Sequence, residues 1–119
     1  MDKEQAIYHF WKSFDWNAYD ETTVPEDAQF PYITYATMTD SIGYKLTLTA
    51  SLWDRGTSWE RLAEKVKQIS QSITGDPIRI NGGYLWVTKG SPFAQRMGDD
   101  SDDMIRRVLL MIQAEFLAN

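Results

Sequence analysis

The stretch YKLTLTASLW, residues 44–53, decides the fold because polar and apolar side chains alternate along it. One face carries Leu46, Leu48, Ala50 and Leu52, and the other carries Lys45, Thr47, Thr49, Ser51 and Trp53. A period of two predicts a long β-strand with one face in the core. The preceding stretch YITYATMT, residues 32–39, is rich in β-branched and aromatic residues, so the two stretches predict a hairpin that turns around residues 40–43.

Helices are predicted on both sides of this hairpin. Before it, Asp2 and Gln5 have capping-box spacing and precede an apolar stripe, which predicts a helix of about 12 residues. That stripe consists of Ile7, Phe10, Trp11 and Phe14. After the hairpin, a capping box of Thr57 and Glu60 predicts a second helix that ends before Gly75. Its stripe consists of Trp59, Leu62, Ala63, Val66, Ile69 and Ile73.

The remaining segments predict connections and a second hairpin. Residues 15–31 hold two prolines and five acids without a period, which predicts a surface connection. The dipeptide Asn81-Gly82 follows Ile78 and Ile80 and predicts a hairpin turn, with residues 84–88 as the returning strand. Residues 89–103, KGSPFAQRMGDDSDD, predict a loop that is mobile in the free subunit and becomes ordered on assembly.

The C-terminal stretch MIRRVLLMIQAEFLAN, residues 104–119, fits both helical and strand periods. We favour a strand because a helix would leave Leu110 and Met111 exposed. The strand places Arg106, Val108, Leu110, Ile112, Ala114 and Phe116 on one face. The predicted fold is a single α+β domain over residues 1–119, with the order α-β-β-α-β-β-β. Two helices pack on one face of a mixed, mainly antiparallel five-stranded sheet.

Composition and charge argue against several classes of function. The chain has no cysteine, so it has no disulfide, thiolate metal site or cysteine nucleophile. Its net charge of −5 disfavours nucleic acid as a partner, and no apolar run approaches the ~20 residues that cross a bilayer, so we expect no membrane partner. Residues 1–43 carry eight acids and two bases, whereas residues 44–98 carry four acids and eight bases. This split fits either solvated faces or copies that dock head to tail.

Few residues suggest a catalytic or metal-binding role. The single histidine, His9, falls opposite the apolar stripe and has no second histidine or cysteine with which to form a metal site. The acidic cluster of residues 99–103 departs from the EF-hand pattern, with Met104 at the glycine position and Leu110 at the glutamate position. We therefore expect no enzyme, catalytic residue, metal or cofactor, and a solvated acidic loop.

Aromatic residues are the more informative signal, with five Trp, six Tyr and five Phe. Trp53 shares its strand face with polar side chains, which suits either an interface anchor or a structural role at the sheet edge. The predicted long loop carries two large apolar residues around a base, which suits docking. The predicted interface residues are Trp53, Lys45, Arg55, Phe93, Arg96 and Met97.

Three stretches resemble a known family: WNAYDETTVPEDAQFPYITYA, TASLWDRGTSW and KGSPFAQRMGDDSDDMIRRVLLMIQAEF. They are similar to the tail terminators of bacteriophages and prophages, also described as tail-completion or head-to-tail joining proteins, and the resemblance extends from about Ile7 to Leu117. It implies a non-enzymatic subunit that forms a ring, typically a hexamer, on the tail tube. The ring would stop tube polymerisation and offer a surface to the head connector. The expected location is the virion tail, and the host cytoplasm during assembly.

Other functions fit the same residues. One is a different neck protein, such as a head-closure or minor capsid component. Another is a small-ligand enzyme or binding module, which would need a deep apolar pocket with convergent polar groups. A ring needs two complementary patches on each copy, and we expect acids of residues 15–27 to meet bases such as Arg55, Arg61, Lys65 or Lys67.

Overall fold

Eight elements follow one another in the computed structural model, which describes residues 2–37, 45–98 and 101–118. Their order is α-β-β-β-α-β-β-β. They are α1 (Lys3–Lys12), β1 (Asn17–Asp20), β2 (Tyr32–Tyr35), β3 (Lys45–Arg55), α2 (Glu60–Ser72), β4 (Ile78–Ile80), β5 (Gly83–Gly98) and β6 (Ile105–Ala118). Neither helix is both long and apolar enough to span a membrane, within the residues that the structure describes.

The strands form one mixed sheet in the order β1-β2-β3-β6-β5-β4. Only β1 and β2 pair in parallel, and the other described pairs are antiparallel. The predicted class is therefore confirmed, but the sheet has six described strands instead of five. The extra strand, β1, lies in the segment predicted as a surface connection. This strand was missed because it is placed by a non-local pairing with β2, and its four residues are too few to show a strand period.

The period-two predictions for β3 and β6 are confirmed. The two strands pair from Lys45 opposite Glu115 to Arg55 opposite Ile105. One face of each is buried, and its apolar members are Leu48, Ala50 and Leu52 of β3 with Val108, Leu110, Ile112, Ala114 and Phe116 of β6. The β2–β3 pairing is also as predicted, whereas the turn at residues 40–43 lies outside the described residues.

Strand β5 corrects the prediction of a long loop after residue 88. It extends to Gly98, and its pairing with β6 shifts between Lys89 and Ala94 before resuming at Ala94 opposite Leu110. Gly90, Ser91 and Pro92 lie in the irregular part of this continuous strand instead of in a loop. Residues 94–98 therefore pair with β6 within the single chain.

The two helix starts differ from each other in how well they were predicted. At α1 the capping box is present: Gln5 N donates to Asp2 Oδ1 at 2.8 Å, and Asp2 N donates to Gln5 Oε1 at 2.9 Å. At α2 the predicted box is wrong, because the helix begins at Glu60 and the preceding residue makes no capping bond with its side chain. The Glu60 amide donates instead to Ser58 Oγ at 3.0 Å.

The helices and one sheet face share a single hydrophobic core. Ile7 and Trp11 of α1 and Leu62 and Ile69 of α2 are fully buried in it. Helix α1 contacts both edge strands, β1 and β4, so the sheet curls around it. The opposite sheet face carries no described helix.

Candidate interaction surfaces

The sheet face turned away from the helices, called the outer face below, carries a row of large side chains. Tyr32, Trp53, Arg107 and Met97 occupy paired positions on β2, β3, β6 and β5, and all four are half-buried. The Trp53 ring stacks on Tyr32 with centroids 6.3 Å apart, and the Arg107 guanidinium lies 5.0 Å from the Trp53 ring centre. An aromatic and cationic row of this kind is typical of interface centres.

The row is held by its own chain. Trp53 Nε1 donates to Thr34 Oγ1 at 2.9 Å, and Arg107 Nε donates to Ser51 Oγ at 2.8 Å. Partial burial raises the pKa of the Tyr32 phenol. These contacts preorganise the row, which lowers the entropy that a partner would have to offset on binding. Trp53 thus has a structural role, although the residue remains partly exposed.

Lys45 and Arg55, two other predicted interface residues, lie at opposite ends of β3 and are exposed. Ten residues of strand separate them by about 33 Å. Lys45 lines a cleft beside Trp86, a residue that is 40% exposed. Arg55 Nε forms an ion pair with Asp102 Oδ2 at 3.3 Å. The two bases therefore belong to separate surfaces.

The predicted docking bases of α2 are largely engaged within the chain. Arg61 makes two hydrogen bonds to the buried carboxylate of Asp54, one of them from Nε at 3.0 Å, and these bonds raise the pKa of Arg61. Lys65 Nζ donates to the Phe14 carbonyl and to Gln68 Oε1, both at 2.7 Å. Their main contacts hold α2 against its own domain.

A second surface, called the basic cleft below, lies between α2 and the distal half of β5. It is lined by Trp59, Ala63, Val66, Ala94, Gln95, Arg96 and Val108. The guanidinium carbons of Arg96 and Arg106 lie 5.0 Å and 5.2 Å from the Trp59 ring centre. Arg106 was not predicted as an interface residue, because no local pattern in the sequence shows that its guanidinium and that of Arg96 contact the same Trp59 ring.

The structure separates the three residues that were predicted to dock from one loop. Met97 lies on the outer face opposite Arg107, whereas Arg96 lies opposite Val108, whose side chain faces the core. Phe93 is half-buried against the core, and Lys89 Nζ lies 5.8 Å from its ring centre. The three predicted residues therefore lie on two opposite faces of the sheet.

Residues considered for chemistry do not converge in the described part of the chain. His9 is exposed on α1, and no three His, Asp or Glu side chains form a possible metal cluster among the residues that the structure describes. Asp99 and Asp100 of the acidic cluster lie outside those residues. Asp102 Oδ1 accepts from the Met104 amide at 2.8 Å, so this carboxylate helps to form the turn into β6.

The fold resembles a component of a virus-like particle. A chain of the virion of the native gene transfer agent (GTA) particle superposes with a TM-score of 0.58, over 82% of this chain and 75% of that chain, at 17% sequence identity. No family model matches this sequence. No curated protein matches it either. At this identity the similarity demonstrates a shared fold.

Proposed function

We propose that this protein is a non-enzymatic structural subunit of a phage-like particle that caps the tail tube as an oligomeric ring. The observation that carries the proposal is the fold shared with a GTA virion chain over 82% of this chain. The sequence resemblance to tail terminators supports the tail as the location and the tube end as the position. The expected partners are further copies of this chain, typically in a hexamer, the tail tube protein and the head connector or neck protein.

The outer face supports a docking role within such a particle. Its row is preorganised by hydrogen bonds from Trp53 to Thr34 and from Arg107 to Ser51. No described helix covers it, and rigid aromatic side chains on a sheet scaffold make effective anchors. We assign this face to the contact with the tube or the connector.

Electron microscopy of particles assembled without this protein tests the role. Over-long or head-free tails are expected, because polymerisation would lack its stop signal and tails would lack their joining surface. Supplying the wild-type chain should restore tails of normal length, which is the matched control. Empty, unjoined heads beside normal tails would show the alternative, a head-closure component. Normal particles would refute a structural role of either kind.

A further inference from the structure

The basic cleft has two cations at the Trp59 ring, Arg96 in its lining and Arg106 beside it, and neither forms an ion pair in the described chain. Neither Arg96 nor Arg106 has an acidic oxygen within ion-pair distance among residues 2–37, 45–98 and 101–118. Arg106 stands opposite Asp54 in the β3–β6 pairing, but Arg61 occupies both oxygens of that carboxylate. The buried Nε of Arg106 has no hydrogen-bond partner. That atom is not accessible from outside, but the Arg106 side chain as a whole is only half-buried, so a carboxylate brought by a partner to this unpaired charge would stabilise it.

Apolar side chains adjoin these cations. Trp59 and Val66 of α2 are half-buried, and Ala63 between them is exposed. Ala94 forms the opposite wall on β5. The cleft therefore offers apolar contact along its length and positive charge near Trp59. Its complement is an acidic segment that also carries a few apolar side chains.

Such a segment exists in this chain, between β1 and β2. Glu21, Glu26 and Asp27 are exposed there, and none forms an ion pair in the described residues. Val24 and Pro25 lie between them. The stretch of residues 21–27 contains no base, so its charge is available to another molecule.

The acidic segment and the cleft lie at opposite ends of one row of strand pairs. Asp20 pairs with Tyr35, and Tyr35 pairs with Ala50. Ala50 pairs with Leu110, and Leu110 pairs with Ala94 in the wall of the cleft. One row of pairs thus runs from the start of the acidic segment to the cleft. Complementary patches on opposite sides of one subunit produce head-to-tail contacts.

We propose that the basic cleft binds the acidic segment of residues 21–27 of a second copy, with Arg96 and Arg106 pairing to its carboxylates. This inference rests on the proposed ring and identifies the surfaces that build it. It selects Arg96 and Arg106 over Arg55, Arg61 and Lys65, which are engaged within their own chain. The contact is heterologous, so it can be repeated around a ring.

A charge exchange between two variants tests the pairing. Arg96→Glu reverses one exposed charge in the cleft, and Glu26→Lys with Asp27→Lys reverses the segment. Sedimentation velocity should show wild-type oligomers that weaken as salt rises, since exposed charges are screened. Each variant alone should associate at least about tenfold more weakly. An equal mixture should recover association, because the reversed cleft of one variant meets the reversed segment of the other, while the native pair is kept at the next contact.

The controls separate this inference from the proposed function. Arg79→Glu, an exposed charge on β4 outside the cleft, should leave association unchanged, and unchanged melting curves show that all variants fold. Variants that associate like the wild type, or a mixture that fails to recover, would overturn the pairing. So would a wild-type chain that stays monomeric at every concentration and salt. In each case the tail phenotype of particles lacking the protein still decides the proposed function independently.

Discussion

The ion pairs of Arg61 and Arg55 show how burial determines the contribution of an ion pair to stability. The Asp54 side chain, which pairs with Arg61, is 6% exposed, whereas the Asp102 side chain, which pairs with Arg55, is 31% exposed. Arg61→Ala should lower the free energy of unfolding by about 2 kcal/mol, because it leaves a buried carboxylate with few donors. Arg55→Ala, the matched control, should cost about 0.5 kcal/mol. Urea denaturation measures both, and equal losses would contradict this account.

Asp20 gives the protein a specific acid sensitivity. Hydrogen bonds from the Thr22 hydroxyl and amide lower the pKa of Asp20 below its ordinary 3.8, and Thr37 adds a third. A lowered folded-state pKa stabilises the fold above the unfolded-state value, and this stabilisation is lost as pH falls below about 3.8. Asp20→Asn cannot titrate, so its stability deficit should be present at pH 7 and shrink towards pH 3. A deficit that does not depend on pH would refute the assignment.

Trp53 has both a structural role and a proposed docking role. Trp53→Ala should lower the free energy of unfolding by about 2 kcal/mol, less than a fully buried aromatic, because the ring is half-buried. It should also abolish tail capping. Trp53→Phe keeps a ring against Tyr32 and loses the bond to Thr34, so it should cost about 1 kcal/mol and retain capping. Melting curves and tail lengths check both variants, and normal capping by Trp53→Ala would remove Trp53 from the interface.

At the scale of elements, the irregular middle of β5 determines which side chains reach which face. Before it, Leu85 and Val87 face the core, so odd positions point inward. After it, Ala94 and Arg96 pair with core-facing residues of β6, so even positions point to the helices. Without this shift Met97 would face the helices in place of Arg96. The basic cleft therefore depends on the bulge.

Gly90 lies inside this irregular segment and tests it. A Cβ added at Gly90 would lie 2.8 Å from the Met111 carbonyl oxygen and 2.9 Å from Met111 Cβ. Gly90→Ala should therefore destabilise the fold by about 1–3 kcal/mol through backbone displacement. Gly98→Ala at the end of the same strand meets no atom within 4 Å and should change stability by less than about 0.5 kcal/mol. Thermal melts compare them, and similar behaviour would contradict the close approach.

The sequence allowed the long regular elements to be predicted, and the reason is local. In β3 and β6 the alternation of side chains continues long enough to identify both the strand and its buried face. The capping box of α1 likewise contains its whole signal in four residues. The start of α2 was predicted too early because Thr57 and Glu60 have the spacing of a capping box. In the structure the Glu60 amide donates to the Ser58 hydroxyl instead.

The candidate sites were predictable only in part, because they depend on pairing between distant strands. Aromatic character identified Trp53, but its row with Arg107 and Met97 requires the register of β3, β6 and β5. Arg96 was predicted as a docking residue without its partner Arg106, since the register shift in β5 has no local signature. Strand β1 was missed for the same reason, because its position is set by β2.

At the scale of the whole molecule, the acidic segment and the basic cleft lie beyond different ends of one row of strand pairs. A subunit with two such patches can join head to tail, and a contact of this type closes into a ring or continues as a filament. A twofold dimer would instead bury the same patch on both copies. The number of copies that are joined in one crosslinked product distinguishes a head-to-tail assembly from a twofold dimer.

Cysteine crosslinking of the double variant Ala63→Cys/Thr23→Cys, which places one exposed thiol in the cleft and one in the acidic segment and keeps their charges, measures that number directly. The chain has no natural cysteine, so the two introduced thiols are the only sites of reaction. Surfaces that dock through arginine–carboxylate pairs hold their Cα atoms farther apart than the ~7 Å that a disulfide can bridge, so a short bismaleimide linker is used. Head-to-tail contacts should produce a ladder of covalent oligomers whose largest product equals the ring size, with six copies expected from the resemblance to tail terminators. Arg79→Cys/Thr23→Cys, the matched control, should remain mostly monomeric after crosslinking. A product that stops at two copies would show a twofold interface, and the head-to-tail ring would then be wrong.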